Sequence, residues 1–264
     1  MTTLSYALTD SATMLRRSLR HMLRYPSLTV QLAGMPVVFL LLFVYVFGGT
    51  LGDGLGGASG GRAAYVNYVA PGIMLMTVSA AATGTAISVA MDMTEGIIAR
   101  FRTMAIARVS VLTGHVVGSM IETMLGIGIV AGVALLVGFR PTADAVEWVA
   151  AVGILAMITF AFTWLSVALG MVAKTVESAS NLPMPLVFLL FLGSGFVPTD
   201  SLPAGLRAFA EYQPFTPFIE TVRGLLLGTP IGTSAVIAVA WCAGIALAGY
   251  LWAKRLFNRD PVAR

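Results

Sequence analysis

Apolar stretches long enough to cross a lipid bilayer recur along this chain, and they constrain its fold more than any other feature. A bilayer core of about 30 Å is crossed by about 20 residues of α-helix. The sequence is 58% hydrophobic and only 11% charged, whereas a soluble domain averages about 25% charged residues. We therefore predict an all-α polytopic membrane protein, folded as a single transmembrane domain over residues 1–264 rather than as a series of soluble domains.

Six apolar segments are predicted to span the membrane, and the stretches between them differ in character. The glycine-rich residues 48–61 carry few side chains that could pack, so they are expected to form an exposed loop. Residues 198–232 are too polar to span and too apolar for a free linker, which predicts short outer re-entrant helices between spans five and six. The predicted spans are roughly 28–48, 66–90, 111–138, 146–173, 182–197 and 233–253.

The distribution of arginine and lysine predicts the orientation of the chain. Six spans put both termini on one side, and the segments on that side hold 12 of the 16 Arg and Lys residues, against 4 on the other. By the positive-inside rule, both termini are expected in the cytoplasm and the protein in the cell (plasma) membrane. Residues 1–27 place Arg16, Arg20 and Arg24 on one face of an amphipathic pattern, which predicts an interfacial helix in contact with membrane lipid.

The segment MDMTEGIIARFRTMAIAR, residues 91–108, is a charged, helix-like stretch between the second and third spans. Asp92 can cap a helix, and Glu95 follows at the spacing of a capping box. An apolar face at helical spacing is formed by Ile97, Phe101 and Met104. We therefore predict a short cytoplasmic helix over residues 92–107. The residue pattern leaves two interpretations open: a loop that rests on lipid headgroups, or a docking element for a cytoplasmic partner.

The sequence lacks the motifs that would let this chain use ATP or hold a metal by itself. A P-loop requires G-x4-G-K-[ST], whose backbone amides and lysine hold the phosphates, and Lys174 is followed by threonine but preceded by alanine. His21 and His115 have no cysteine or carboxylate cluster at metal-ligand spacing, so both are expected to pack near the cytoplasmic boundary. We expect a chain that is not an enzyme, with no bound cofactor, no metal and no nucleic-acid partner.

Three charged residues lie in stretches where charge is costly. Glu122 falls within the third span, where a carboxylate usually faces a bundle interior or water. It is predicted either as a coupling, proton-relay or cation-binding group, or as a buried structural partner of another helix. Glu220 and Arg223 are spaced i, i+3, so that pairing on one helix would let a short outer helix keep both charges. We expect this pair to close the outer end of the bundle.

Two motifs, and their order along the chain, resemble the ABC-2 type transporter permeases of the daunorubicin-efflux class. The family pattern in the cytoplasmic segment runs approximately E-x4-R-F/L-R-T-x-P, with Ala105 here in the place of the proline. The matching residues are Glu95, Arg100, Phe101, Arg102 and Thr103. The stretch EYQPFTPFIETVRGLLLG is similar to the family's outer segment, with Gln213 in the place of its usual asparagine. The matching residues there are Pro214, Thr216, Glu220 and Arg223.

The resemblance covers nearly the whole chain and implies a role. Members of the family are the membrane half of an ATP-driven exporter, in which two permease chains pair and each rests on a separate ATPase subunit that uses ATP and Mg. The second and fifth spans commonly line the path between the two permeases. The cytoplasmic helix seats in a groove of the ATPase, so the resemblance implies that this contact is made by Glu95, Ile97, Arg100, Phe101, Arg102 and Met104.

The expected function is therefore export of a hydrophobic or amphipathic compound, such as a drug, a lipid or a glycan carrier. The permease pair could be a homodimer or a heterodimer. One alternative is an ion- or proton-coupled secondary transporter that uses Glu122. Another is a membrane scaffold or sensor that transports nothing and depends on no ATPase.

Overall fold

The computed structural model describes residues 26–56, 61–94 and 108–258, with side chains described over 32–54, 61–94 and 115–257. Within these ranges the chain is helical and has no strand, which confirms the predicted all-α class. The helices in chain order are α1 (Pro26–Leu42), α2 (Gly48–Gly56), α3 (Arg62–Thr94), α4 (Arg108–Val137), α5 (Ala145–Val172), α6 (Val176–Asn181), α7 (Met184–Phe191), α8 (Ala204–Tyr212), α9 (Phe215–Leu227) and α10 (Ser234–Asn258).

Five helical segments of the described ranges are long and apolar enough to cross a membrane. They are Leu32–Gly54, Arg62–Thr94, His115–Val137, Ala145–Val172 and Ser234–Phe257. Five of the six predicted spans therefore have a counterpart, each with shifted ends. The predicted interfacial helix at 1–27 lies almost entirely outside the described residues.

The prediction of an exposed loop at residues 48–61 is wrong for the part that the structure describes. A π-helical turn, Phe43–Phe47, joins α1 to α2, so that helix continues to Gly56. Glycine is a poor helix former in water, but it lets two backbones approach closely. A Cβ on Gly52 would overlap the carbonyl oxygen of Gly61, where the chain returns toward α3. The glycines are therefore explained by close packing as well as by flexibility.

The predicted fifth span, 182–197, is only partly helical. Helix α7 covers Met184–Phe191 within it, and the short helix α6 ends just before it, where Pro183 has no backbone N–H to continue the helical hydrogen bonds. The start of the segment packs at Ala179 against Ala90 of α3. Its end lies at Ser194, whose carbonyl accepts a hydrogen bond from Tyr68, near the other end of α3.

Helices α3 and α5 form the centre of the bundle, since they are buried to a larger extent than the other three membrane-length helices. The two pack closely because Gly170 of α5 lies against the backbone of Ala86. Helix α5 begins at a capping box in which Asp144 accepts from the Glu147 N–H at 2.7 Å and donates its own N–H back to the Glu147 side chain. The outer helices α1, α4 and α10 keep mainly apolar faces exposed, as lipid-facing helices do.

The long segment 198–232 contains the two short helices α8 and α9, as predicted. Helix α9 is buried over most of its length, and Phe215 and Phe218 pack their rings against Phe162 of α5. Helix α8 is largely exposed. Along α3, we call the end beside this segment the Arg62 end and the opposite end the Thr94 end.

Candidate functional site

Arg223 of α9 is the most enclosed charge among the described residues, with 6% of its surface exposed. Its Nη1 donates to Glu220 Oε1 at 2.8 Å, so the structure brings together the two residues predicted to pair. Its Nη2 donates to the carbonyl oxygens of Ser194 at 2.7 Å and Tyr68 at 3.1 Å. The guanidinium also lies 3.9 Å from the centre of the Tyr68 ring, a cation–π contact. One side chain thus joins α9, α3 and the link after α7.

The link at residues 193–196 depends on α3 for its hydrogen bonds. Tyr68 Oη donates to the Ser194 carbonyl at 2.7 Å, and Tyr65 Oη donates to the Phe196 carbonyl at 3.3 Å. A Cβ on Gly72 would lie 2.8 Å from the Gly195 carbonyl oxygen, so the two backbones are in direct contact. Carbonyls outside a helix need donors when they are buried, and the two tyrosines supply them.

The corner between α8 and α9 is fixed by the polar residues of the outer motif. Thr216 Oγ1 donates to the Ala210 carbonyl at 2.5 Å and accepts from the Ser194 N–H at 3.2 Å. Gln213 Oε1 accepts the Phe215 N–H at 3.0 Å, which satisfies a donor at the start of α9. This corner therefore holds the helix that carries Arg223 in place.

Two buried polar atoms in this region have no hydrogen-bond partner among the described residues: Arg223 Nε and Ser194 Oγ. The cost of burying the Arg223 charge is offset by its contacts with Glu220, with two carbonyls and with the Tyr68 ring. We call Arg223, Glu220, Tyr68, Tyr65 and Ser194 the Arg223 network. Sequence reasoning found its ion pair and missed the tyrosines and Ser194, which only the fold brings near.

A second arginine within residues 198–232 is exposed and makes a different set of contacts. Arg207 of α8 pairs with Asp200 at 2.5 Å and with Glu211 at 2.7 Å. The hydrogen bond to Glu211, with the charge of Asp200, raises the pKa of the Arg207 guanidinium above its ordinary value. Because the side chain is open to solvent, this triad is a surface feature and not part of the buried network.

At the Thr94 end, the six residues predicted to contact an ATPase lie outside the described residues. These are Glu95, Ile97, Arg100, Phe101, Arg102 and Met104. The helices on either side of them are described, and they correct one prediction: Asp92 does not begin a new helix but lies in the last turn of α3. Its Oδ2 accepts from His115 Nε2 of α4 at 2.8 Å, so His115 also has a specific partner that sequence reasoning missed.

Helices α3 and α4 are joined by further contacts along an antiparallel seam. Thr85 Oγ1 donates to Ser119 Oγ at 3.0 Å, about two turns from the contact between Asp92 and His115. Farther along, a Cβ on Gly126 would lie 3.0 Å from a methyl carbon of Thr77, so the helices approach closely there too. Between them, these three contacts cover about 22 Å of α3 at 1.5 Å per residue.

Glu122 lies near the middle of α4, and its side chain is half-buried. An apolar groove of about 380 Å³ opens between α4, α5 and α10. Its lining includes two methionines and the sole cysteine: Met120, Ala156, Met157, Phe160, Val239, Cys242, Ala243 and Ala246. The lining is nearly free of polar atoms, so it suits hydrocarbon and offers no hydrogen bonds.

Comparison with known proteins gives a consistent result. Residues 10–227 match the ABC-2 type transporter family. The daunorubicin resistance ABC transporter permease protein DrrB1 of Streptomyces coeruleorubidus is 27% identical over 224 residues, which is 84% of this chain and 77% of that protein. The probable doxorubicin resistance ABC transporter permease protein DrrC of Mycobacterium tuberculosis is 28% identical over 184 residues, 66% of this chain and 64% of that protein. Because the family match spans most of the chain and agrees with the resemblance of its two motifs, this chain is a member of the ABC-2 type transporter family.

Proposed function

We propose that this permease exports a hydrophobic or amphipathic compound, driven by ATP hydrolysis in a separate subunit. The observation that carries the proposal is the family match over residues 10–227, together with relatives that are named as drug-resistance permeases. A bundle of apolar helices with a nearly non-polar lateral groove supports an apolar cargo that reaches the protein from the bilayer.

The proposed topology has six crossings, with both termini in the cytoplasm of a plasma-membrane protein. Five crossings are the long apolar helices. The sixth is the α6–α7 segment, whose contacts run from Ala90 at one level of α3 to Tyr68 at another. The positions of arginine and lysine support a cytoplasmic Thr94 end and an outer Arg62 end.

Residues 95–107 are proposed to contact the ATPase, which would bind ATP and Mg. Their position supports this role: they connect the central helix α3 to α4, so that a force on them acts on the middle of the bundle. A second permease chain, identical or related, is proposed to complete the transport path. The exposed strip of α3 at its Thr94 half supports a contact outside this chain.

Reconstitution tests this proposal. The permease is purified with a candidate ABC ATPase subunit from the same organism, placed in liposomes and supplied with ATP. Candidate hydrophobic compounds should stimulate hydrolysis and accumulate on the side away from the ATPase. Photocrosslinking groups at Ile97 and Phe101 should capture the ATPase. Capture of phospholipid alone would contradict the coupling role, and absence of ATP-dependent movement for every cargo tried would contradict the export function.

One alternative is supported by a specific observation, the half-buried carboxylate of Glu122 in the middle of α4. In this reading the protein is a proton- or ion-coupled transporter. Glu122→Gln should then remove the pH dependence of transport without ATP. Transport that requires ATP and keeps its pH profile in Glu122→Gln would reject this alternative.

A further inference from the structure

We infer that Asp92 and His115 are positioning residues that hold α3 and α4 together as one rigid hairpin. The inference rests on the proposed function, in which the segment between these helices receives the force of the ATPase. A rigid hairpin would carry that force to both helices at once. A hairpin that opens at its base would let the segment move while the bundle stays still.

The first argument is the position of Asp92 in its helix. Aspartate is a poor helix former, and a negative charge in the last turn opposes the helix dipole. Asp92 nevertheless lies in the last turn of α3, with its side chain 23% exposed, and its Oδ2 accepts from His115 Nε2 at 2.8 Å. Local preferences disfavour an acid there, so its favourable interaction is the one with α4.

The second argument is that the contact closes a seam and does not stand alone. The hydrogen bond between Thr85 and Ser119 lies about two helical turns away on the same seam. Val89 and Val116, one on each helix, are buried in the same apolar cluster between these two polar contacts. Polar pairs thus lie on both sides of a shared apolar cluster, so the two helices are joined at several points near the Thr94 end of α3.

The third argument is where the hairpin leads. Helix α3 runs 33 residues, about 50 Å, from Asp92 near one end to Tyr65 and Tyr68 near the other. Those tyrosines bond the link at residues 193–196. A displacement of the rigid hairpin along its axis would therefore reach the Arg223 network through α3.

Crosslinking distinguishes a rigid hairpin from an opening one. In the reconstituted complex, Asp92→Cys and His115→Cys are combined and joined with a short bis-methanethiosulfonate reagent. The sole native cysteine, Cys242, is buried, and each single-cysteine variant measures background labelling. Before crosslinking, we expect the double variant to transport few molecules per ATP hydrolysed. The crosslink should restore the number of molecules transported per ATP to at least half of the wild-type value. Loss of transport on crosslinking, with hydrolysis continuing, would mean that the hairpin opens and would overturn the inference.

An exchange of the two residues separates a positioning role from simple structural damage. Asp92→Ala and His115→Ala alone should each lower the number of molecules transported per ATP about tenfold, the size expected for losing one hydrogen bond to a charged group. The double exchange Asp92→His with His115→Asp restores the contact with its direction reversed and should recover the ratio to within about threefold. An exchange variant no better than the single variants would overturn the inference.

A measurement without the ATPase keeps the inference separate from the proposed function. The midpoint of thermal unfolding in detergent is compared for wild type, Asp92→Ala, His115→Ala and the double variant. The two substitutions should be non-additive, because either one removes the same contact. Additive shifts would overturn the inference even if ATP-driven export is observed. Non-additive shifts without export would instead support the hairpin and contradict the export function.

Discussion

The two halves of α3 belong to one continuous helix and have opposite surroundings. From Val69 to Ser79, toward the Arg62 end, every residue is buried. In the Thr94 half, Gly84, Ser88 and Met91 form an exposed strip at helical spacing. The stretch from Val69 to Ser79 is thus enclosed by this chain on all sides, and the Thr94 half leaves one face for contacts outside it.

The polar contacts differ in the same way. The Arg62 end is bonded to backbone carbonyls of an irregular link and to a buried arginine. The Thr94 half is bonded to one neighbouring helix through Asp92 and Thr85. Backbone carbonyls are fixed points, whereas helix-to-helix side-chain contacts allow a hairpin to move as a unit. The comparison therefore predicts a firm Arg62 end and a Thr94 end that can be displaced.

The largest expected effect is the loss of Arg223. Arg223→Ala removes the hydrogen bonds from the guanidinium to the carbonyls of Tyr68 and Ser194 and leaves Glu220 without its partner, which should cost about 3–5 kcal/mol. The matched control is Arg207→Ala in the exposed triad, for which we expect no measurable change. The thermal midpoint in detergent and the amount of membrane-inserted protein measure both. Equal shifts of the thermal midpoint for the two arginine variants would contradict a firm Arg62 end.

A pair of glycines on α3 tests the same contrast with a single methyl group. Gly72→Ala places a Cβ 2.8 Å from the Gly195 carbonyl oxygen, an overpacking that should destabilise by about 1–3 kcal/mol. Gly84→Ala meets nothing within 4 Å in this chain and should stabilise the helix by up to about 1 kcal/mol. The thermal midpoints should shift in opposite directions. A shift of the same sign would mean that the two halves are equally enclosed.

These substitutions also indicate what could be predicted from sequence. Span positions followed from apolar runs, because crossing a bilayer imposes length and composition directly. The pairing of Glu220 with Arg223 followed from their spacing on one helix. Both inferences depend on local sequence, which is why they could be made without the fold.

Other features depend on contacts between distant segments and could not be predicted. Tyr68 and Ser194 are 126 residues apart, and nothing in either neighbourhood indicates the other. The helix Gly48–Gly56 forms although glycine disfavours a helix locally. The close approach of this helix to Gly61 is a contact between separate segments, which local sequence does not indicate. The broken fifth segment could have been anticipated from Pro183 and Pro185. However, Pro36 and Pro71 lie inside continuous helices, so the presence of a proline alone does not predict where a helix breaks.

A smaller effect is expected from the Tyr68 hydroxyl. Tyr68→Phe keeps the ring beside Arg223 and removes only the 2.7 Å hydrogen bond to the Ser194 carbonyl, which should cost about 1–2 kcal/mol. Tyr65→Phe removes the longer 3.3 Å bond to Phe196 and should cost less. Thermal unfolding of the two variants gives the order. If Tyr65→Phe lowered the thermal midpoint more, the main contact between α3 and residues 193–196 would be the one at Phe196 rather than the one at Ser194.

The smallest effect is expected from Ser88→Ala, and it tests whether a second chain covers the exposed strip of α3. Ser79 is buried and its hydroxyl donates to the Leu75 carbonyl, so Ser79→Ala should cost about 0.5–1.5 kcal/mol. Ser88 is exposed, so Ser88→Ala should change the stability of the isolated permease by less than about 0.5 kcal/mol. The same two variants are then compared in the membrane-extracted complex. A cost for Ser88→Ala that appears only in the complex would place a second chain on the exposed strip of α3. A cost that is absent in both states would leave that strip facing lipid, and the contrast between the halves of α3 would then reflect the bilayer rather than a partner.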